Sequence, residues 1–381
     1  MKTAAESLNA ALYTAKKSAI RTFAALAAAT PGCISLTLGE PDFDTPAPVK
    51  AAAMAALQRG ETHYIPNPGT EALRAAIAAH ENRRNGADYT ADEVIVTAGA
   101  TEALFTALFG VLNPGDEVIV PMPAFVLYEQ IVNLCRGVTV PLQTADTGFQ
   151  IDPERLRAAI TDRTKAVVLN SPNNPTGCVY TEESLAAVYD AVKVRPVFVI
   201  CDDVYRDLVY SDGCRSFAEN RDLRDRILLT QSFSKPYAMT GWRMGYLLGD
   251  APVIERLKLV HQFAVVSTPA PFQSAGIEAL KQDVSPMRLT YDRRRRYALE
   301  RLRKMGLSVP EPLGAFYLFP AIPAGAGDSA SFCTRMVKEA LVAATPGACF
   351  GADGHFRISY ACADEILKEG LARIEGFLFR R

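Results

Sequence analysis

The sequence predicts an α/β protein. A large domain holds a mostly parallel, seven-stranded sheet flanked by helices, and the two chain ends form a small α+β domain. Three observations carry this. Short β-branched runs recur through the middle of the chain at residues 94–97, 117–120, 138–142, 166–169, 197–201, 227–231 and 244–248. Alanine- and leucine-rich stretches with helical spacing separate many of them, and strand–helix alternation implies a parallel sheet covered on both faces. Both ends break that alternation. The 381-residue length suits two domains, placed at 46–280 for the large one and at 1–45 with 281–381 for the small one.

Taken in order, residues 1–40 carry an amphipathic segment and then an extended piece at 33–38. Helical spacing follows at 102–109, 153–160 and 182–192, each between two strand-like runs. Residues 244–248 follow their neighbour by a short link, which permits an antiparallel return. Beyond residue 280 come a long charged helix at 286–304, a strand-like 315–319, a helix around 331–343, a strand at 356–360 and a last helix from Asp364. The arginine run 293–296 reads as the solvated side of the long helix.

Lys and Arg number 41 against 42 Asp and Glu. That balance argues against nucleic acid or an anionic membrane as partner, while leaving room for a local anion pocket. No apolar run approaches the roughly 20 residues of a membrane span. The apolar stretch 23–29 is too short and too far from Met1 to read as an export signal. The eight cysteines are scattered singly and there are four histidines. Neither a metal site nor a disulfide framework is expected, and a reducing cytoplasm is the expected setting.

The densest chemistry lies at 232–245, just past a strand end, where α/β folds place ligands. Ser232, Ser234 and Arg243 suit a phosphate dianion. Lys235 among them matches a Schiff-base lysine on pyridoxal phosphate. A second strand ends in Asp202, with Tyr205 in the next turn. Pyridoxal chemistry needs an acid paired with the pyridinium nitrogen, and a tyrosine there could reach the ring's phenolic oxygen. Alone, that pair reads more readily as a helix cap, and the lysine segment is what turns it toward the cofactor. A third strand leads into Asn170–Gly177, where prolines and Gly177 could hold Asn174 rigidly against a ring oxygen. A fourth opens a helix through Gly99, Ala100 and Thr101, whose backbone N–H groups suit phosphate.

With these residues in hand, the chain resembles the fold-type I pyridoxal-phosphate enzymes, class I/II aminotransferases, over nearly its full length. Leu38–Phe43 resembles the family's G-x-P-D-F segment and Tyr64–Gly69 its Y-x-x-x-x-G segment. The glycine turn at Gly99, Pro121–Phe125, Asn174–Gly177, Asp202–Tyr205, Ser232–Gly245 and Phe356–Ser359 follow in family order. The resemblance implies that Lys235 bonds the cofactor and later moves the proton, and that Asp202 pairs with the pyridinium nitrogen. Tyr205 and Asn174 contact the phenolic oxygen. Ala100, Thr101, Ser232, Ser234 and Arg243 cradle the phosphate, with Gly99 allowing close approach. Tyr64 reaches the phosphate of a neighbouring subunit, and Phe125 stacks on the ring. Arg357 forks onto the substrate α-carboxylate, assisted by Asn174 and the Gly39 backbone.

Two positions depart from the pattern. Phe125 stands where many relatives carry tryptophan, and Thr101 where many aspartate-preferring relatives carry lysine. Residues 132–135, 261–262 and 359–362 bring the chain nearest to bacterial enzymes of the N-acetyl-diaminopimelate aminotransferase type.

The implied activity is ping-pong transfer of an amino group between an L-amino acid and a 2-oxo acid, in a cytoplasmic homodimer with shared active sites. A carbon–sulfur β-lyase on the same scaffold would begin with the same chemistry. A non-catalytic ligand-sensing domain would need a DNA-binding domain, and the 38 residues before Gly39 are too few. Ile20, Arg21, Phe23, Phe125 and Tyr128 are candidate walls of the side-chain pocket. They imply a tolerant site that accepts 2-oxoglutarate and favours bulky or long-chain donors over aspartate.

Overall fold

The computed structural model describes residues 3–15, 19–211 and 214–379. Near the N-terminus lie helix α1 (Ala19–Ala28) and the two-residue strand β1 (Ile34–Ser35). Helix α2 (Glu71–Asn85) follows, its first turn capped by the Thr70 hydroxyl, which accepts from the Leu73 N–H.

The central sheet is built from β2 (Val94–Thr97), β3 (Glu117–Met122), β4 (Val138–Gln143), β5 (Thr164–Asn170), β6 (Phe198–Asp202), β7 (Ile227–Ser232) and β8 (Gly245–Leu248). Their order is β2-β8-β7-β6-β5-β3-β4. β8 runs antiparallel to β2 and β7, and the other pairs are parallel. This is the expected seven-stranded, mostly parallel sheet. Alternate residues of the strands feed two cores. Val94, Val96, Val167, Leu169, Val199 and Leu229 pack on one face, and Ile95, Val118, Val120, Val168, Ile200 and Leu228 on the other. The period-two alternation of a strand produces this split. Helices α3 (Ala100–Val111), α4 (Leu127–Leu134) and α5 (Glu182–Val192) fall between successive strands.

A further core joins Leu36 with Tyr291, Leu299, Phe316, Phe332, Ile358 and Leu371, so residues from both chain ends pack together. Its elements are α6 (Ser285–Lys304), β9 (Tyr317–Leu318), β10 (Val342–Ala343), β11 (Thr345–Pro346), β12 (Phe356–Ser359) and α7 (Asp364–Leu378).

Two local expectations need correction. The helix foreseen at 331–343 is shorter: an α-helix at Ser329–Arg335 passes into a π turn at Met336–Ala340. The chain then extends as β10 to pair in parallel with β1, so tertiary pairing overrides helical propensity there. The arginine run on α6 is also only half solvated. Arg294 and Arg295 are buried. Arg294 donates to Asp42 at 2.8 and 2.9 Å and to Asp364 at 2.8 Å. Arg295 donates to Asp292 at 2.8 Å and to the Pro312 carbonyl at 3.0 Å. Acidic partners, distant in sequence for Arg294 and on the same helix for Arg295, make that burial tolerable.

Candidate active site

Three adjacent parallel strands end at one level. In register, Asn170 of β5 lies beside Asp202 of β6, and Asp202 beside Thr230 of β7, two residues before Ser232. Side chains beyond these ends lock the strands together. Asn170 Nδ2 donates to the Asp202 carbonyl at 2.9 Å, and Asn170 Oδ1 accepts from the Asn174 N–H at 2.9 Å. Gln231 Nε2 donates to the Asp203 carbonyl at 2.9 Å. A cavity of about 290 Å³ opens over these ends. Gly39, Ala100, Thr101, Phe125, Asn174, Asp202, Tyr205, Ser232, Ser234, Lys235, Arg243 and Arg357 all line it, so distant segments of the sequence converge on one site.

Lys235 Nζ donates to the Gly39 carbonyl. Burial pushes its ammonium down to about 8; Glu40 opposes this, while Arg357 and Arg243 add to it. A lysine so placed holds a far larger share of free amine near neutral pH than an ordinary lysine does, which suits a nucleophile. Asp202 is 4% exposed, and burial pushes its carboxyl up to about 6. Tyr128 Oη donates to its Oδ2 at 2.5 Å. Its Oδ1 is buried without a partner.

Arg243 adopts the left-handed conformation, φ 53°, uncommon for a side chain of this size and a place where strain accompanies function. It donates to the Thr240 carbonyl at 3.0 Å and to the Ala98 carbonyl at 3.3 Å. Gly99 makes this approach possible, since a Cβ there would sit 2.5 Å from Arg243 Nη2. Arg243 thus stands at the N-terminus of α3, close to Ser232 and Ser234, in an arrangement suited to a phosphate.

Arg357 is 2% exposed. Its Nη1 donates to Asn174 Oδ1 and its Nη2 to the Thr37 carbonyl, both at 2.7 Å. Its Nε is buried without a partner. The guanidinium lies over the rings of Tyr317 at 4.3 Å and Phe350 at 4.9 Å. Because Arg357 takes the Asn174 amide oxygen, any contact of Asn174 with a ring oxygen falls to its NH2 group.

Pyridoxal phosphate meets residues that fit it. The lone Asp202 oxygen suits a protonated ring nitrogen, the Arg243 cradle an anion, and Lys235 an aldehyde. Among the described residues no cluster of His, Cys, Asp or Glu could hold a metal, and no helix is long and apolar enough to cross a membrane.

Sequence reasoning missed several neighbours. Tyr317 lies inside a strand-like run and read only as strand. Its hydroxyl sits 2.8 Å from that of Tyr205, and a Cβ on Gly39 would collide with it at 2.0 Å. Leu104, Leu127, Val204 and Thr240 also line the cavity. Beneath Asp202, buried Arg206 donates to both Glu81 oxygens at 2.8 and 2.7 Å and to Asp203 at 3.2 Å. Of the expected pocket walls, Ile20, Phe125 and Tyr128 line the cavity, but Arg21 and Phe23 are not among its lining residues. Arg21 is exposed on α1, and Phe23 packs toward the core shared by the chain ends. Tyr64 is 89% exposed and outside this cavity.

A family model described as aminotransferase class I and II matches residues 31–374. The chain is 40% identical over 372 residues to a Bacillus subtilis protein named putative aminotransferase YugH, covering 96% of each. It is 39% identical over 370 residues to the probable N-acetyl-LL-diaminopimelate aminotransferase of the same organism, covering 96% of this chain and 94% of that one. The crystal structure of aspartate aminotransferase from Thermotoga maritima superposes with a TM-score of 0.95 at 38% identity, covering 98% of this chain and all of that one.

Proposed function

The chain belongs to the class I and II aminotransferases, and we propose on that basis which residues carry its chemistry, how it assembles and which donors it prefers. The reaction class itself is pyridoxal-phosphate-dependent transfer of an amino group between an amino acid and a 2-oxo acid. No comparison favours a β-lyase or a non-catalytic sensor.

When bound, pyridoxal phosphate supplies an aldehyde that captures amines and a ring that accepts the electron pair left by the departing α-proton. In our reading, Lys235 holds the cofactor through Nζ and then carries the α-proton on that same atom. Asp202 Oδ1 keeps a proton on the ring nitrogen. Tyr205 and the Asn174 NH2 face the phenolic oxygen, and Phe125 covers one face of the ring. Ser232, Ser234, Arg243 and the N–H groups of Ala100 and Thr101 anchor the phosphate, with Gly99 leaving space for Arg243. Arg357 binds the substrate α-carboxylate beside Asn174 and the Gly39 backbone. The Asp202 oxygen left without a partner is the observation that carries this reading.

The assembly in this proposal is a homodimer in which Tyr64 completes the partner's phosphate site. Support comes from an apolar surface around the Tyr64 segment. Phe263 is 84% and Val266 53% exposed, and Asn67 Nδ2 donates to the Val266 carbonyl at 2.7 Å. A cytoplasmic setting fits the eight free cysteines. The division into 1–45, 46–280 and 281–381 is part of the same proposal.

For the donor, the cations among the described residues that line the cavity are Lys235, Arg243 and Arg357, and each already has a task. The remaining wall includes Ile20, Leu104, Phe125, Leu127 and Val204, with Thr101 as a neutral neighbour. Bulky or long-chain amino acids therefore outrank aspartate as donors, with 2-oxoglutarate as acceptor. Apolar contacts discriminate by only about 1–3 kcal/mol, or roughly 10–200-fold. The test is kcat/KM for aspartate, phenylalanine, methionine and an acylated diaminopimelate. Aspartate leading that series by more than about tenfold, the lower edge of that range, would reject the proposed preference.

A further inference from the structure

We propose that Tyr128 is a positioning residue for Asp202: its hydroxyl occupies one carboxylate oxygen, so that the other is presented, still charged, to the ring nitrogen. The inference rests on the reading of Asp202 as partner of that nitrogen.

The geometry is direct. Tyr128 stands in the first turn of α4 and is 1% exposed. Its ring packs edge-on against Phe125 at a centroid distance of 6.2 Å. Its hydroxyl donates to Asp202 Oδ2 at 2.5 Å, while Oδ1 has no partner. Burial, reinforced by the Asp202 charge, holds the Tyr128 phenol well above its ordinary value. The group therefore stays protonated and acts only as a donor.

One proton is shared between the Asp202 carboxylate and the ring nitrogen, and the more basic site keeps it. Burial makes Asp202 more basic, and Asp203 adds to this. The Tyr128 hydrogen bond, the Val204 N–H and Lys235 act the other way. Cys201 and Tyr205, the remaining titratable neighbours, are themselves pushed well above their ordinary values by burial and stay neutral. Among the described residues, Tyr128 alone gives the carboxylate a side-chain hydrogen bond. Removing that bond makes the carboxylate more basic and draws the proton off the ring. A stronger donor does the reverse.

The experiment uses Tyr128→Phe, Tyr128→3,5-difluorotyrosine and Asp202→Asn. The fluorinated ring keeps shape and hydroxyl but donates more strongly, so the test survives if the phenylalanine variant fails to fold. In the apoenzyme, infrared titration follows the Asp202 carboxyl band, identified by its loss in Asp202→Asn. Its midpoint is expected to rise by about one to two pH units in Tyr128→Phe, the size of a charge-assisted hydrogen bond. It is expected to fall in the difluorotyrosine variant. In the loaded enzyme, the ¹⁵N resonance of a labelled cofactor ring is expected to move toward unprotonated pyridine in Tyr128→Phe and the opposite way in the fluorinated variant. Midpoints that stay put, or move the same way in both, overturn the inference. A ring resonance indifferent to Asp202→Asn would reject the Asp202 pairing itself, and the apoenzyme titration would still decide whether Tyr128 governs the carboxylate.

Discussion

Asp202→Asn should stabilise the apoenzyme while crippling the enzyme. Burial raises the Asp202 carboxyl from 3.8 to about 6. A folded-state value above the unfolded one means that the charged form is disfavoured by folding. The cost is absent below the unfolded value, grows as pH rises, and levels off above the folded value. A gap of about 2.2 pH units corresponds to about 3 kcal/mol at pH 8 and about 1.6 kcal/mol at pH 5. Asparagine preserves the shape, accepts from Tyr128 and carries no charge. The variant apoenzyme should therefore gain up to about 3 kcal/mol at pH 8 and about half of that at pH 5. The assay is urea unfolding of the two apoenzymes at equal protomer concentration, because stability of an oligomer depends on it. Turnover should fall roughly 100–1,000-fold, as when a preorganised electrostatic partner is removed. A variant less stable than the parent at pH 8, or an advantage that shrinks between pH 5 and pH 8, would refute the reasoning.

Lys235→Ala should lower turnover by several orders of magnitude and abolish the visible band of the lysine-bound cofactor, leaving cofactor held by non-covalent contacts alone, chiefly at its phosphate; absorption spectra and assays of the purified variant check both. Arg357→Lys cannot make both the Asn174 and Thr37 contacts while forking onto a carboxylate. KM for amino donors should rise roughly 30–200-fold, with the apoenzyme fold retained by circular dichroism. Mixing Tyr64→Ala with Lys235→Ala subunits should regenerate activity through heterodimers carrying one intact site. No recovery after subunit exchange, verified by mass, would argue against a shared site.

Much of the site was legible because its chemistry sits in short contiguous stretches. Ser232, Ser234, Lys235 and Arg243 fall within twelve residues, and Asp202 ends a β-branched run, so residue chemistry at strand ends pointed to both. What stayed hidden depends on partners distant in sequence. Tyr128 could be read as a wall, but its hydroxyl meets Asp202 from 74 positions away. Tyr317 alternates like any buried strand residue, and only the fold brings it to Tyr205 and Gly39. Arg294 sits in a run that looks solvated until Asp42 and Asp364 arrive from the two chain ends. The Glu81–Arg206 pair beneath the site had no local signature at all. Periodicity reports which face is apolar, and it is silent about which charge finds a buried partner.

The pocket's cations also act on one another. The Lys235 ammonium is lowered chiefly by burial, but the next contributions pulling it down come from Arg357 and Arg243. These are the two groups assigned to the substrate carboxylate and the phosphate. With both sites vacant, two uncompensated guanidinium charges favour a neutral Lys235, the form that captures an aldehyde. An anion on Arg243 cancels part of that field, and a carboxylate on Arg357 cancels more. In the proposed mechanism the same lysine would then be a stronger base when it takes the proton from the α-carbon. In this arrangement of residues, recognition of the two anionic groups and the basicity of the proton carrier are consequences of the same charges. An electrostatic change at Arg357 should thus be felt in proton transfer as well as in binding.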